Sequence, residues 1–146
     1  MRHPTGNGMF KVNGNAEIRL PAEWEWQWVA QNGAEARPYP WDEKATRYAN
    51  TAESGLKQSI AVGMYPHGAA ACGALDMAGN LMEWCANDKE HLEVIDVESV
   101  ARKALRGGDW GYGVENATCS YADDEDPGRI DALNGCRLVL GNKIMA

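Results

Sequence analysis

The chain is poor in the features that mark several large functional classes. It has one Phe, no apolar run approaching the roughly 20 residues that cross a bilayer, and no cluster of Lys or Arg. Without such a cluster, phosphate charges go unmatched, and a formal charge of −7 argues further against a nucleic-acid partner. Met1-Arg2-His3-Pro4 leads into polar residues rather than an apolar stretch, so neither a signal peptide nor membrane insertion is expected. Cys72, Cys85, Cys119 and Cys136 are dispersed without C-x-x-C spacing, which leaves zinc and thioredoxin-type chemistry without a ligand pattern. These thiols read first as buried small hydrophobes and second as one disulfide, Cys85 with Cys119; a catalytic thiol is the least favoured reading. His3, His67 and His91 stand in unrelated contexts, and no phosphate-cradling glycine loop opens a helix.

What is abundant is Trp and Gly, six and 16 in 146 residues. That length suits one domain, residues 1–146, with a real core. Many tryptophans and glycines with little helical period suggest irregular backbone pinned by aromatic plates. Residues 1–16 are expected to form either a turn-laden lead-in or a short hairpin around Asn13-Gly14. Ile18-Arg19-Leu20 reads as a short strand ended by Pro21. The same proline opens a helix over residues 22–31, with Glu23 and Glu25 in its first turn and Asn32-Gly33 as its stop. Trp24 and Trp28 share one face and Trp26 lies on another, so this helix is expected to pack on both sides.

Residues 34–70 read as a long irregular excursion. Leu75-Asp76-Met77-Ala78-Gly79-Asn80 then makes a compact turn, followed by a strand over residues 81–85 with Met82 and Trp84 on one face and Glu83 on the other. A charged loop is expected over residues 87–93, and residues 94–103 fit strand or short helix equally. Arg106-Gly107-Gly108 marks a close backbone approach, and Arg137-Leu138-Val139-Leu140 alternates like a strand stopped by Gly141. Between the two lie some 25 residues without either period, and a loop that long is read as functional.

The acidic run Asp123-Asp124-Glu125-Asp126 lacks the alternation and downstream Glu of an EF-hand. One constellation has metal character. Asp76 and Glu83 flank the turn through Gly79 and Leu81, whose carbonyls can point inward, and hard oxygen ligands so placed suit Ca²⁺. The competing reading has Asp76 capping the turn and Glu83 facing solvent.

Taken in order, Arg19-Leu20-Pro21-Ala22-Glu23 with Trp26, Tyr39-Pro40-Trp41, Asn50-Thr51, Leu75 to Asn80 with Glu83-Trp84, Leu105-Arg106-Gly107-Gly108 with Trp110, and Gly135 with Arg137-Leu138-Val139 resemble the formylglycine-generating-enzyme (sulfatase-modifying factor) family. The resemblance covers residues 19–140. It implies an α+β, C-type-lectin-like fold: irregular and loop-rich, with short antiparallel strands and one or two helices. In that family a copper site uses two thiolates just after Arg-Gly-Gly. Here Tyr112 stands at the first position and the second holds no thiol, while Cys119 is the one thiol in the region. A lone thiol cannot supply a two-thiolate Cu(I) site. The histidine set of iron-dependent sulfoxide synthases in the superfamily is also missing, so neither enzymatic activity is expected. Related members bind Ca²⁺ at the turn equivalent to residues 76–83, which raises the standing of that site.

The chain also resembles the variable proteins of diversity-generating retroelements, which share this fold and diversify a C-terminal Arg-Gly-Gly…Gly-x-Arg-Leu segment. Residues 105–140 correspond to it. Asp109 replaces the usual Ser after Gly-Gly, and Ser120, Tyr121 and Ala122 replace the usual basic residues. Adenine-directed mutagenesis of asparagine codons cannot yield Glu, Lys, Gln, Met or Trp, and residues 111–134 hold only Glu115 and Glu125 of those types. The resemblance implies a non-enzymatic binding protein whose displayed side chains are Asp109, Gly111, Tyr112, Val114, Tyr121, Asp123, Asp124, Ile130, Asp131 and Asn134. Tyr would supply rigid contact area and the small polar residues adaptable hydrogen bonds. The expected partner is a protein or cell-surface ligand, met by display on a virion or cell surface. A degenerate sulfatase-modifying-factor relative is the alternative. A sugar-binding lectin is disfavoured, because Glu-Pro-Asn and Gln-Pro-Asp motifs are absent.

Overall fold

Ala16–Arg19 forms strand β1, and the fixed φ of Pro21 turns the chain into helix α1, Glu23–Ala30. The computed structural model describes residues 16–44, 46–96 and 98–142; the lead-in or hairpin expected around Asn13-Gly14 and His3 lie outside them. Ala22 has no side chain with which to cap α1. Glu25 does this instead, accepting the Ala22 N–H at 2.9 Å while its two oxygens take Arg19 at 2.7 and 2.8 Å. Helix α1 therefore begins at a junction locked to β1.

One face of α1 is core and the other is open. Trp26 and Ala30 pack with Ala70, Met77, Cys85, Ala104 and Cys119, whereas Trp24 and Trp28 remain 59 % and 58 % exposed. The expectation of packing on both sides is corrected here: the sheet buries the Trp26 face, while the Gly33 turn and residues 138–141 flank Trp24 and Trp28 without covering them. The core is built largely from Ala, Cys and single large plates, so buried polar residues such as Asn50, Thr51 and Asn87 fill much of the remaining interior.

The main sheet has four strands: β2 (Met82–Asp88), β3 (Lys103–Arg106), β4 (Ala122–Glu125) and β5 (Asn134–Gly135), in the order β4-β3-β2-β5. β3 is antiparallel to both β2 and β4, and β5 runs parallel to β2. A separate two-stranded sheet joins β1 to β6 (Val139–Asn142). This is the expected α+β, loop-rich architecture, with one regular helix among the described residues.

Several local expectations shift. The strand begun near residue 81 continues to Asp88, so Asn87 and Asp88 belong to it rather than to a loop. Glu83 is buried like Met82, because β2 is an inner strand covered on one side by α1. Gly141 lies inside β6 instead of ending it; Arg19 Nη2 would stand 3.0 Å from a Cβ there. The described residues among 94–103 supply an Asn87–Ile95 bridge and the first residue of β3. The segment between the glycine pair and Arg137 is also less irregular than its sequence, since it contains β4, β5 and a 3-10 turn at Val114–Ala117.

Candidate functional site

The segment after β3 is held in place by two left-handed glycines, Gly107 (φ 98°) and Gly108 (φ 69°). A Cβ on Gly108 would meet the Asn116 carbonyl oxygen at 2.5 Å, and one on Gly107 would press the Trp26 ring at 3.2 Å. Two turns elsewhere in the chain clamp the backbone beyond. Gly107 O accepts the Gly79 N–H at 2.7 Å, Asn80 O accepts the Trp110 N–H at 3.2 Å, and Tyr112 O accepts the Ala52 N–H at 2.8 Å. Glu53 Oε1 accepts the Val114 N–H at 3.1 Å at the start of the 3-10 turn. Farther on, Arg106 donates to the Tyr121 carbonyl at 2.8 Å and pairs with Glu23, tying the segment to α1. It is thus a rigid platform rather than a free loop.

The structure sorts the ten expected display positions into three groups. Tyr112 (53 % exposed), Ile130 (99 % exposed) and Gly111 face outward, while Tyr121, Asp123, Asp124, Asp131 and Asn134 are half-buried. Asp109 and Val114 are corrections, for each is only 1 % exposed. Val114 packs inward from the 3-10 turn. Asp109 folds under its own loop, where Oδ1 accepts the Gly111 N–H at 2.6 Å. Its Oδ2 has no hydrogen-bond partner among the described residues. Burial, chiefly, pushes the Asp109 carboxyl above the usual carboxylate range. Asn134 is partly committed to pairing with Met82. Asp124 pairs with Arg102, and Asp131 with Arg129 at 3.1 Å.

All four proposed metal positions, Asp76, Gly79, Leu81 and Glu83, line one cleft of about 330 Å³. A guanidinium already occupies its acidic end. Arg137 Nε and Nη2 donate to Glu83 Oε2 and Oε1, each at 2.7 Å, and Nη2 also reaches the Leu75 carbonyl at 2.9 Å. Trp26 Nε1 takes Glu83 Oε2 as well, at 2.7 Å. Glu83 therefore neither faces solvent nor holds a free pair of oxygens for a cation. Asp76 accepts the Gly63 N–H at 2.7 Å through Oδ2, so it caps the distant turn at Gly63 rather than its own.

The thiols do not assemble a reactive site. Cys85 and Cys119 are free and buried in the core, and burial pushes each thiol up to about 12. The Cys85–Cys119 disulfide is absent, and Cys72 and Cys136 are exposed rather than buried. Tyr112 has no thiol to pair with, so this donor set does not fit a two-thiolate copper site.

Sequence reasoning missed three contributors: Glu53, whose carboxylate braces the platform, and Arg102 and Arg129, which neutralise its acidic edge. Only charge complementarity to the run 123–126 pointed to the arginines. Nothing local marked Glu53.

Comparison with known proteins extends the picture. A family model described as the sulfatase-modifying factor enzyme 1-like domain matches residues 8–141. A hercynine oxygenase of Mycobacterium tuberculosis is 32% identical over 139 residues, which is 84% of this chain and 32% of that protein; the chain spans about a third of that relative. Among solved structures, variable protein 1 of Treponema denticola superposes with a TM-score of 0.68 at 24% identity, covering 83% of this chain and 46% of the other. PvdO from Pseudomonas aeruginosa gives 0.70 at 25% identity, with 84% and 52% covered. Both solved structures share the fold.

Proposed function

The chain belongs to the sulfatase-modifying factor enzyme 1-like family, and within that family we propose that it is a non-enzymatic binding module whose ligand surface is the platform of residues 109–134. The observation that carries this reading is the fate of the reactive position: an exposed Tyr112 stands there, and the region's one thiol, Cys119, is core. A platform with buried anchors, outward Tyr and Ile side chains and half-buried Asp side chains has the construction of a paratope. Its likeness in fold to a protein called a variable protein supports the same reading. The ligand would be a protein or cell-surface group, met by display on a virion or cell surface.

Sequencing the surrounding locus tests the diversified part of this reading. A near-copy of the stretch encoding residues 105–140, beside a reverse transcriptase gene and differing at adenines, is the expected result. A locus without such a copy overturns it.

A second reading, a degenerate relative with a catalytic role, is favoured by the similarity to hercynine oxygenase. Oxygen uptake by the purified chain, supplied with a thiol substrate and iron or copper, separates the two. The binding reading expects none above the metal blank.

A further inference from the structure

Helix α1 and the β1–β6 ribbon leave an apolar face bare. Trp24, Trp28 and Val29 from the helix, with Leu138 and Leu140 from β6 and its approach, line a groove of about 450 Å³. Ile18 stands directly opposite Leu140 across the ribbon, which sets the two side chains on one face. Ile18, Trp24, Trp28, Leu138 and Leu140 each keep more than half of their surface in solvent. Exposed large residues scattered singly are ordinary, but a contiguous set marks a surface that meets a partner.

Two features suit this face to another protein surface. Trp28 is held in place: its ring lies against Gly33, where a Cβ would stand 3.1 Å from it. An indole fixed beforehand costs little further ordering when it is covered. The charged groups lining the groove are Arg19, Glu25 and Arg137, and each is engaged inside the chain. Arg19 pairs with Glu25 at 2.7 Å, and Arg137 pairs with Glu83 at the same distance. On a protein of formal charge −7, this groove thus presents no unpaired carboxylate to repel an identical copy.

We infer that the occupant is a second copy of this chain, related by a two-fold axis that sets helix α1 of each copy on the β1–β6 ribbon of the other. The face is self-complementary. Flat indoles form one wall and branched Leu side chains the other, so the leucines of one copy meet the tryptophans of its partner, and the reverse. Two strands alone are marginal in water, and the partner's helix covers the bare face of this ribbon. The five exposed side chains offer roughly 600 Å² per copy. Two copies together bury roughly 1,200 Å², the lower limit for a specific, stable interface. A dimer at that limit dissociates on dilution. No residue lining the groove belongs to the platform of residues 109–134, so the dimer stands whether or not the platform binds a ligand.

Sedimentation equilibrium of the full chain, from about 1 μM to about 1 mM, tests this. The mass should rise toward twice that of the chain as concentration increases. Trp28→Glu and Leu140→Glu should each weaken association about thirtyfold, the loss of one buried anchor. Val62→Glu, at an exposed apolar position outside the groove, should change nothing. Melting curves establish that the variants are folded, and either groove variant suffices to decide. A chain monomeric throughout overturns the second copy as occupant; hydroxyl-radical footprinting of Trp24 and Trp28 then tells an open face from one covered by another segment of the chain. Association unmoved by the groove variants, or weakened equally by Val62→Glu, overturns it as well.

Discussion

Arg137 holds Glu83 through two parallel hydrogen bonds of 2.7 Å, and Trp26 from helix α1 shares the same carboxylate. The guanidinium further reaches the carbonyl of Leu75, at the start of the Asp76 turn. Three parts of the chain distant in sequence thus meet at one ion pair. Sequence pattern presents Asp76 and Glu83 as a cation site, and the cation found there belongs to the protein.

Breaking this pair should be costly because the survivor is left charged in a poorly solvated place. Glu83→Gln or Arg137→Leu should each lower stability by about 3 kcal/mol, the low end for a buried pair, since Arg137 keeps a quarter of its side-chain surface in solvent. Denaturant titration measures it. A loss well under 1 kcal/mol for both would mean the pair is effectively solvated.

Metal dependence follows from the same geometry. With Glu83 committed to Arg137, neither EDTA nor added Ca²⁺ should move the melting temperature. A rise of several degrees with Ca²⁺ would show that the guanidinium yields its place to the ion.

Scaffold and face should respond differently to substitution. Gly107→Val should abolish folding, because a left-handed backbone and the Trp26 ring both oppose the side chain. Tyr112→Ala should stay within about 0.5 kcal/mol of the parent, because Tyr112 anchors the loop through its backbone carbonyl. Equal destabilisation in denaturant would contradict the separation.

Asp109 gives a pH signature. Its folded pKa is raised, chiefly by burial, so the folded state holds this proton more tightly than the unfolded state. Its contribution to stability is complete below the unfolded pKa and is lost as pH rises through the folded one. Asp109→Asn keeps an acceptor for the Gly111 N–H and removes the charge. It should gain about 1 kcal/mol at neutral pH and little at acid pH. Melting both proteins across that range checks this, and a difference independent of pH would contradict it.

Thiol accessibility separates the cysteines. Iodoacetamide should label Cys72 and Cys136 in the native protein and reach Cys85 and Cys119 only after unfolding. Rapid native labelling of Cys119 would reopen the question of a reactive thiol.

Much of the fold was legible in the sequence. The ordered motifs implied the lectin-like class, Pro21 and the paired glutamates placed α1, and the adjacent glycines marked the close approach. What escaped depended on distant partners. β4 was hidden because Asp123-Asp124-Glu125 has no β-branched residue or alternation; it becomes a strand by pairing with β3, with Arg102 neutralising Asp124. Trp24 and Trp28 share a helical face by spacing, but spacing alone cannot tell which face the sheet will cover. Among site residues, Tyr112 and Ile130 are exposed, as a display position requires. The burial of Asp109 does not, because a carboxylate after two glycines carries no local sign that its loop will close over it.

A substitution scan over residues 105–140, sorted by protease resistance of the displayed chain, tests the central claim most directly. The account predicts that Gly107, Gly108, Val114 and Cys119 tolerate few residues, whereas Tyr112 and Ile130 tolerate most. If the outward positions prove as restrictive as the buried ones, the segment is not a display surface and the binding function assigned to it fails.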